Sequence, residues 1–220
     1  MTDLSQLLVL VIPLAIASMI SPVAVITVME VLSGSGHRAR NGVLFVATFG
    51  IVFSLICLVF LAVGSLTTSG GKPSLTTVAI DIILGLLLLY ASVRELLKKK
   101  EIKGASVKTI RAATVVLGGA LFGVGNIFSS LPALAASKDI GVALVPPFDK
   151  AIAFILVIVI TLCWLWGPLA IFLITPGHFD QYLGPVIRFL RKHGGQLMAA
   201  VFFLVGIYLF SRGIIGATTL

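Results

Sequence analysis

Apolar runs of about 20 residues recur along the whole chain, and that is the length an α-helix needs to cross a bilayer. They fall at about 5–32, 42–64, 76–97, 110–137, 151–175 and 195–216. Little chain is left between them, so no separate soluble domain has room to fold. Residues 1–220 are expected to form a single, all-α polytopic membrane domain. Composition points the same way: 59% of residues are hydrophobic and 11% charged, with a mean hydropathy of +1.17. Soluble domains carry about a quarter charged residues. The first run is not expected to be a cleaved signal peptide, because Asp3 is its only early charge and the apolar stretch is too long.

The net charge of +8 suggests nucleic acid only until its distribution is read. Arg38 and Arg40 follow the first run, seven cations crowd the connection from Arg94 to Arg111, and Arg188, Arg191 and Lys192 follow the fifth. Alternate sides therefore carry 12 and 4 of the Lys and Arg residues. The richer side is expected in the cytoplasm, with both termini outside. These charges read as topology and as contact with anionic lipid heads, not as a nucleic-acid site.

Six spans in this orientation divide into two inverted three-helix repeats, at about 1–100 and about 105–220. Gly85, Tyr90, Ser92 and Arg94 recur in the second half, in the same order but at other spacings, as Gly206, Tyr208, Ser211 and Arg212.

The first and fourth runs are both interrupted. Ser21-Pro22 lies inside the first, and proline in a helix interior removes a hydrogen bond and clashes with the preceding turn. Gly123, Gly125 and Asn126 loosen the fourth, followed by Ser129, Ser130 and Pro132. Each break taken singly reads as a packing kink, since Pro and Gly are ordinary in membrane helices. Taken as a pair at matching positions, they point to a substrate site. The second half of a broken helix presents free N–H groups, which favour anionic groups such as phosphate, sulfate or carboxylate. Ser21, Pro22, Asn126, Ser129 and Ser130 are the expected substrate-binding residues.

Ionisable residues inside the spans are few. Glu30 lies late in the first run and is either an interfacial partner of Arg38 or Arg40 or a coupling carboxylate. Asp81, early in the third, is either a solvated helix start or a charge partner within the membrane. Lys138, Asp139, Asp149 and Lys150 flank the outer Pro146-Pro147 connection and read as a solvated rim. Ser65 to Ser74 reads as a plain outer loop. Pro176 to Gly195, where Phe179, Tyr182, Leu183, Val186, Ile187 and Leu190 recur at roughly helical spacing, reads as a short amphipathic helix on the cytoplasmic interface.

His37, His178 and His193 have no metal-ligand spacing, and no nucleophile elbow, phosphate loop or metal-protease motif occurs. Neither catalysis nor a cofactor or metal is expected. Cys57 and Cys163 sit in equivalent runs of the two halves, which raises a transmembrane thiol–disulfide carrier. Carriers of that plan place cysteine beside their proline breaks, whereas Val23 follows Pro22 here. The two cysteines then read as small apolar residues.

The stretch Ser21-Pro22-Val-Ala-Val-Ile-Thr-Val-Met-Glu-Val-Leu-Ser33, followed by Arg38-Ala-Arg40-Asn41-Gly42-Val-Leu-Phe45-Val-Ala-Thr-Phe-Gly50, resembles the sulfolipid- or peptidoglycolipid-addressing family of the lysine exporter superfamily. The resemblance continues in Gly118 to Ala136, where the superfamily often has Asn-Pro-Lys and this chain has Asn126-Ile127-Phe128. It implies a six-helix plasma-membrane transporter that exports a lipid, a glycolipid or a lipid-linked envelope precursor. A small-solute exporter of the same superfamily is the alternative, opposed by the scarcity of central charge. The electron carrier and an accessory subunit of a lipid-export machine are further readings. Expected partners are the lipid substrate and membrane lipids, with homo-oligomers and envelope-biosynthesis proteins left open.

Overall fold

In the computed structural model every ordered element is an α-helix, among the described residues 3–34, 37–67, 74–97, 112–175 and 179–218. The helices are α1 (Leu4–Met19), α2 (Pro22–Ser33), α3 (Arg38–Leu66), α4 (Leu75–Leu97), α5 (Ala112–Gly125), α6 (Ile127–Val142), α7 (Pro147–Ile174) and α8 (Phe179–Thr218). The basic connection at 98–111, the tip of the Ser65–Ser74 loop at 68–73, and His178 lie outside the described residues.

Four helices (α3, α4, α7 and α8) are long and apolar enough to cross a membrane. Two pairs pass the same test jointly while bent, α1–α2 by 51° and α5–α6 by 67°, which brings the spans to as many as six. Large apolar side chains such as Val59, Leu66, Leu117, Phe148 and Leu204 face outward around the bundle. A water-soluble protein rarely shows that much continuous apolar surface, whereas lipid wets it at no cost.

The bends fall where the sequence is broken, for local reasons. The helix stops at Met19, and Ser21 takes a non-helical conformation (φ −126°, ψ 88°). Pro22 then opens α2 at its first position, where its missing N–H is an orphan in any case. At the second break Asn126 alone separates α5 from α6, in a turn (φ −87°, ψ 23°) that follows the helix-weakening Gly123 and Gly125.

α4 and α8 are the most extensively paired helices, and they run antiparallel with their backbones in contact. A Cβ at Gly85 would sit 2.7 Å from the Phe210 nitrogen, one at Gly206 3.1 Å from that of Leu89, and one at Gly213 3.0 Å from that of Ile82. Small residues permit this approach, and without water to drive association it is close packing that holds membrane helices together. Ser92 Oγ adds a hydrogen bond to the Ala199 carbonyl at 2.8 Å. α6 packs as tightly on α3: a Cβ at Gly64 would fall 2.2 Å from the Lys138 carbonyl oxygen, and one at Gly141 2.2 Å from that of Leu61.

Two expected boundaries move. The fourth run continues to Val142, which carries Lys138 and Asp139 into the helix interior. The amphipathic stretch after residue 179 is not a separate helix; it is the first part of the 40-residue α8. Its Leu183 and Leu190 are buried and its Val186 and Phe189 exposed, so the amphipathic pattern is real although the break is not.

Candidate functional site

The two breaks meet inside the bundle. Asn126 Nδ2 donates to Ser21 Oγ at 3.1 Å, and Ser18 Oγ donates to the Ser129 carbonyl at 3.2 Å. Ser129 Oγ and Ser130 Oγ both donate to the Asn126 carbonyl, at 2.9 and 3.2 Å. The N-termini of α2 and α6 thus converge on one place, each with first-turn N–H groups that have no partner within the helix. Five residues expected to bind substrate (Ser21, Pro22, Asn126, Ser129 and Ser130) gather there, 105 positions separating Ser21 from its Asn126 partner.

A small cavity lies against this junction. Its polar wall includes Ser21, Asn126, Ser130, Thr161 and Trp164, and its apolar wall includes Phe49 and Phe53. The two phenylalanines stack at 6.0 Å on successive turns of α3, giving the cavity a rigid aromatic side. The free space is ≈ 10 Å³, about that of one water. The site is therefore nearly filled by the side chains that line it.

Thr161 and Trp164 of α7 were not legible as site residues in the sequence. Thr161 is 7% exposed, and neither its Oγ1 nor Trp164 Nε1 has a hydrogen-bond partner among the described residues. Buried polar atoms are nearly always paired, and each exception needs a reason. The spacing Thr161-x-x-Trp164 on one helix face was the only available signal.

The ionisable residues settle elsewhere. Glu30 Oε1 accepts from Arg191 at 3.0 Å, so its partner is neither Arg38 nor Arg40. Arg38 instead donates to the Gly34 carbonyl at 2.9 Å, and Arg40 is exposed. The change of partner follows from α8, which carries Arg191 beside the end of α2.

Asp81 is buried and is a charge partner, not a solvated helix start. Lys138 Nζ donates to it and lies 3.1 Å from Asp139 Oδ1. Arg212 grips Asp139 with two bonds, at 2.5 and 2.9 Å, and its Nε is 3.7 Å from Asp81 Oδ2. The expected solvated rim is overturned here: Lys138 is fully buried and Asp139 is 3% exposed. The reason is mutual neutralisation, because two acids and two bases from α4, α6 and α8 meet in one cluster with no net charge. Asp149 and Lys150 of the same stretch are half-buried, with Lys150 Nζ on the Gly141 carbonyl at 2.8 Å.

Cys57 is buried on α3 and Cys163 is exposed on α7, so the two thiols occupy unlike surroundings. Among the described residues no group of three His, Cys, Asp or Glu side chains could hold a metal ion.

A family model described as Sap, sulfolipid-1-addressing protein, matches residues 11–215. No curated protein and no solved structure matches the chain.

Proposed function

The chain belongs to the sulfolipid-1-addressing protein family, and on that premise we propose that it carries a lipid or glycolipid across the plasma membrane. The polar head group sits where the two broken spans meet, and the acyl chains stay in the surrounding bilayer. The observation that carries this reading is the Ser21–Asn126 contact beside the unpartnered donors of Thr161 and Trp164. Two helix N-termini, an amide and an indole N–H offer an anionic or strongly polar head group several donors without a fixed cation. No charged side chain is among those lining the cavity, which disfavours the small-solute alternative. A soluble amino acid or cation would need charged partners.

The chain acts as a carrier, not as an enzyme, and as one domain of two inverted repeats, α1–α4 and α5–α8. Each half contributes one broken span and two long helices. In each half the second piece of the broken span makes an ion pair with the last helix of the other half, Glu30 with Arg191 and Lys138 with Asp81. Such repeats place the site near the midplane where the two halves meet, and alternating access opens it to one side and then to the other.

The test uses proteoliposomes and a sulfated glycolipid with a fluorescent acyl chain, its movement between leaflets followed by quenching from one side. Thr161→Val and Asn126→Leu should each slow the movement about tenfold. A membrane hydrogen bond is worth only about 0.6–2 kcal/mol, so melting in detergent should hardly change. Wild-type rates in both variants would show that the paired breaks are packing kinks.

A further inference from the structure

We propose that Arg191 and Arg212 are positioning residues that latch the two broken spans to α8, and that their alternate release opens the site to opposite sides of the membrane. The proposal rests on the transporter reading but concerns groups outside the head-group site.

The two arginines lie 21 positions apart on one continuous helix, about 31 Å along its axis, which is the thickness of a hydrocarbon core. Each binds an acid on the second piece of a broken span. Glu30 stands 8 residues beyond Pro22 and Asp139 stands 12 beyond Ile127, roughly 12 and 18 Å of helix. Since α2 and α6 start at the same junction and their acids reach opposite ends of α8, they run in opposite directions away from the site. α8 is itself seated backbone to backbone on α4 through Gly85, Gly206 and Gly213. The α4–α8 pair is therefore a fixed spine, with one latch at each end and the small cavity between them.

The latches differ in strength. At the Asp139 end the guanidinium makes a bidentate pair, and Lys138 and Asp81 complete a buried cluster of zero net charge. At the Glu30 end there is a single bond at 3.0 Å, the Arg191 side chain is 41% exposed, and Glu30 Oε2 and Arg191 Nε have no hydrogen-bond partner among the described residues. Bidentate, charge-assisted pairing is the stronger and more directional of the two. The Glu30 end should open first.

The experiment reads sidedness, which a merely structural arginine would not change. A single reporter, Ala24→Cys, is placed in the cavity wall on a Cys57→Ala, Cys163→Ala background. A membrane-impermeant maleimide is then added to one side of proteoliposomes or the other. Arg191→Gln should raise the labelling rate about tenfold from one side only, and Arg212→Gln should do so from the opposite side only. The exchange Glu30→Arg with Arg191→Glu should return labelling to the parent rate. Should Arg212→Gln fail to fold, the Arg191 variant and its exchange decide alone: unchanged labelling, or a rise from both sides, overturns the latch. Side-specific labelling without lipid movement would leave the latch standing and reject the transporter reading.

Discussion

Lys138 shows how far a single residue can depart from what its neighbours in the chain suggest. It sits beside Asp139 a few positions before Pro146-Pro147, a context that reads as a wet connection. Its real partners are Asp81 on α4 and the cluster completed by Arg212 on α8. Removing one member of a buried ion cluster strands the others and costs about 3–5 kcal/mol, whereas replacing both members of a pair by apolar groups is often neutral. Lys138→Met should accordingly lower the melting temperature in detergent sharply, and Asp81→Leu added to it should recover most of the loss. Equal losses in the single and double variants would mean that Lys138 matters through its packing alone. Residues that act on their own backbone, such as Pro22 and Asn126, were legible in the sequence because their effect is local. Thr161 and Trp164 were not, because an unpartnered hydroxyl or indole is defined by what fails to reach it from other helices.

Among elements, the positions of the apolar runs were legible and their ends were not. A run ends in sequence where charge appears, at residue 137 for the fourth, but a helix ends where its backbone bonding ends, here at Val142. Neutralised charge lets the one outlast the other. The pairing of the elements was written in glycine, yet nothing in the sequence said which glycines touch a neighbour. Gly141→Ala would press a methyl group to within 2.2 Å of the Leu61 carbonyl oxygen, a backbone atom that cannot step aside. It should cost about 1–3 kcal/mol, the usual toll of overpacking. Gly118→Ala meets nothing within 4 Å and should leave stability unchanged or raise it by up to about 1 kcal/mol through helix propensity. Thermal melts of the two variants side by side check both, and equal behaviour would refute the backbone contact.

At the scale of the whole molecule, the 12-to-4 division of Lys and Arg predicts an orientation with both termini outside. It is checked on intact cells by cysteines introduced at Ser69 and Ser106 on a background without the native thiols. An impermeant reagent should label Ser69→Cys and spare Ser106→Cys; labelling of the latter would reverse or abolish the assignment. The contact between Gly64 and Gly141 bears on where a lipid could pass. Two backbones that touch without side chains between them form a panel, and no hydrocarbon tail fits through the join at Gly64 and Gly141. Any lateral doorway for a lipid tail has then to be sought away from the seam between α3 and α6.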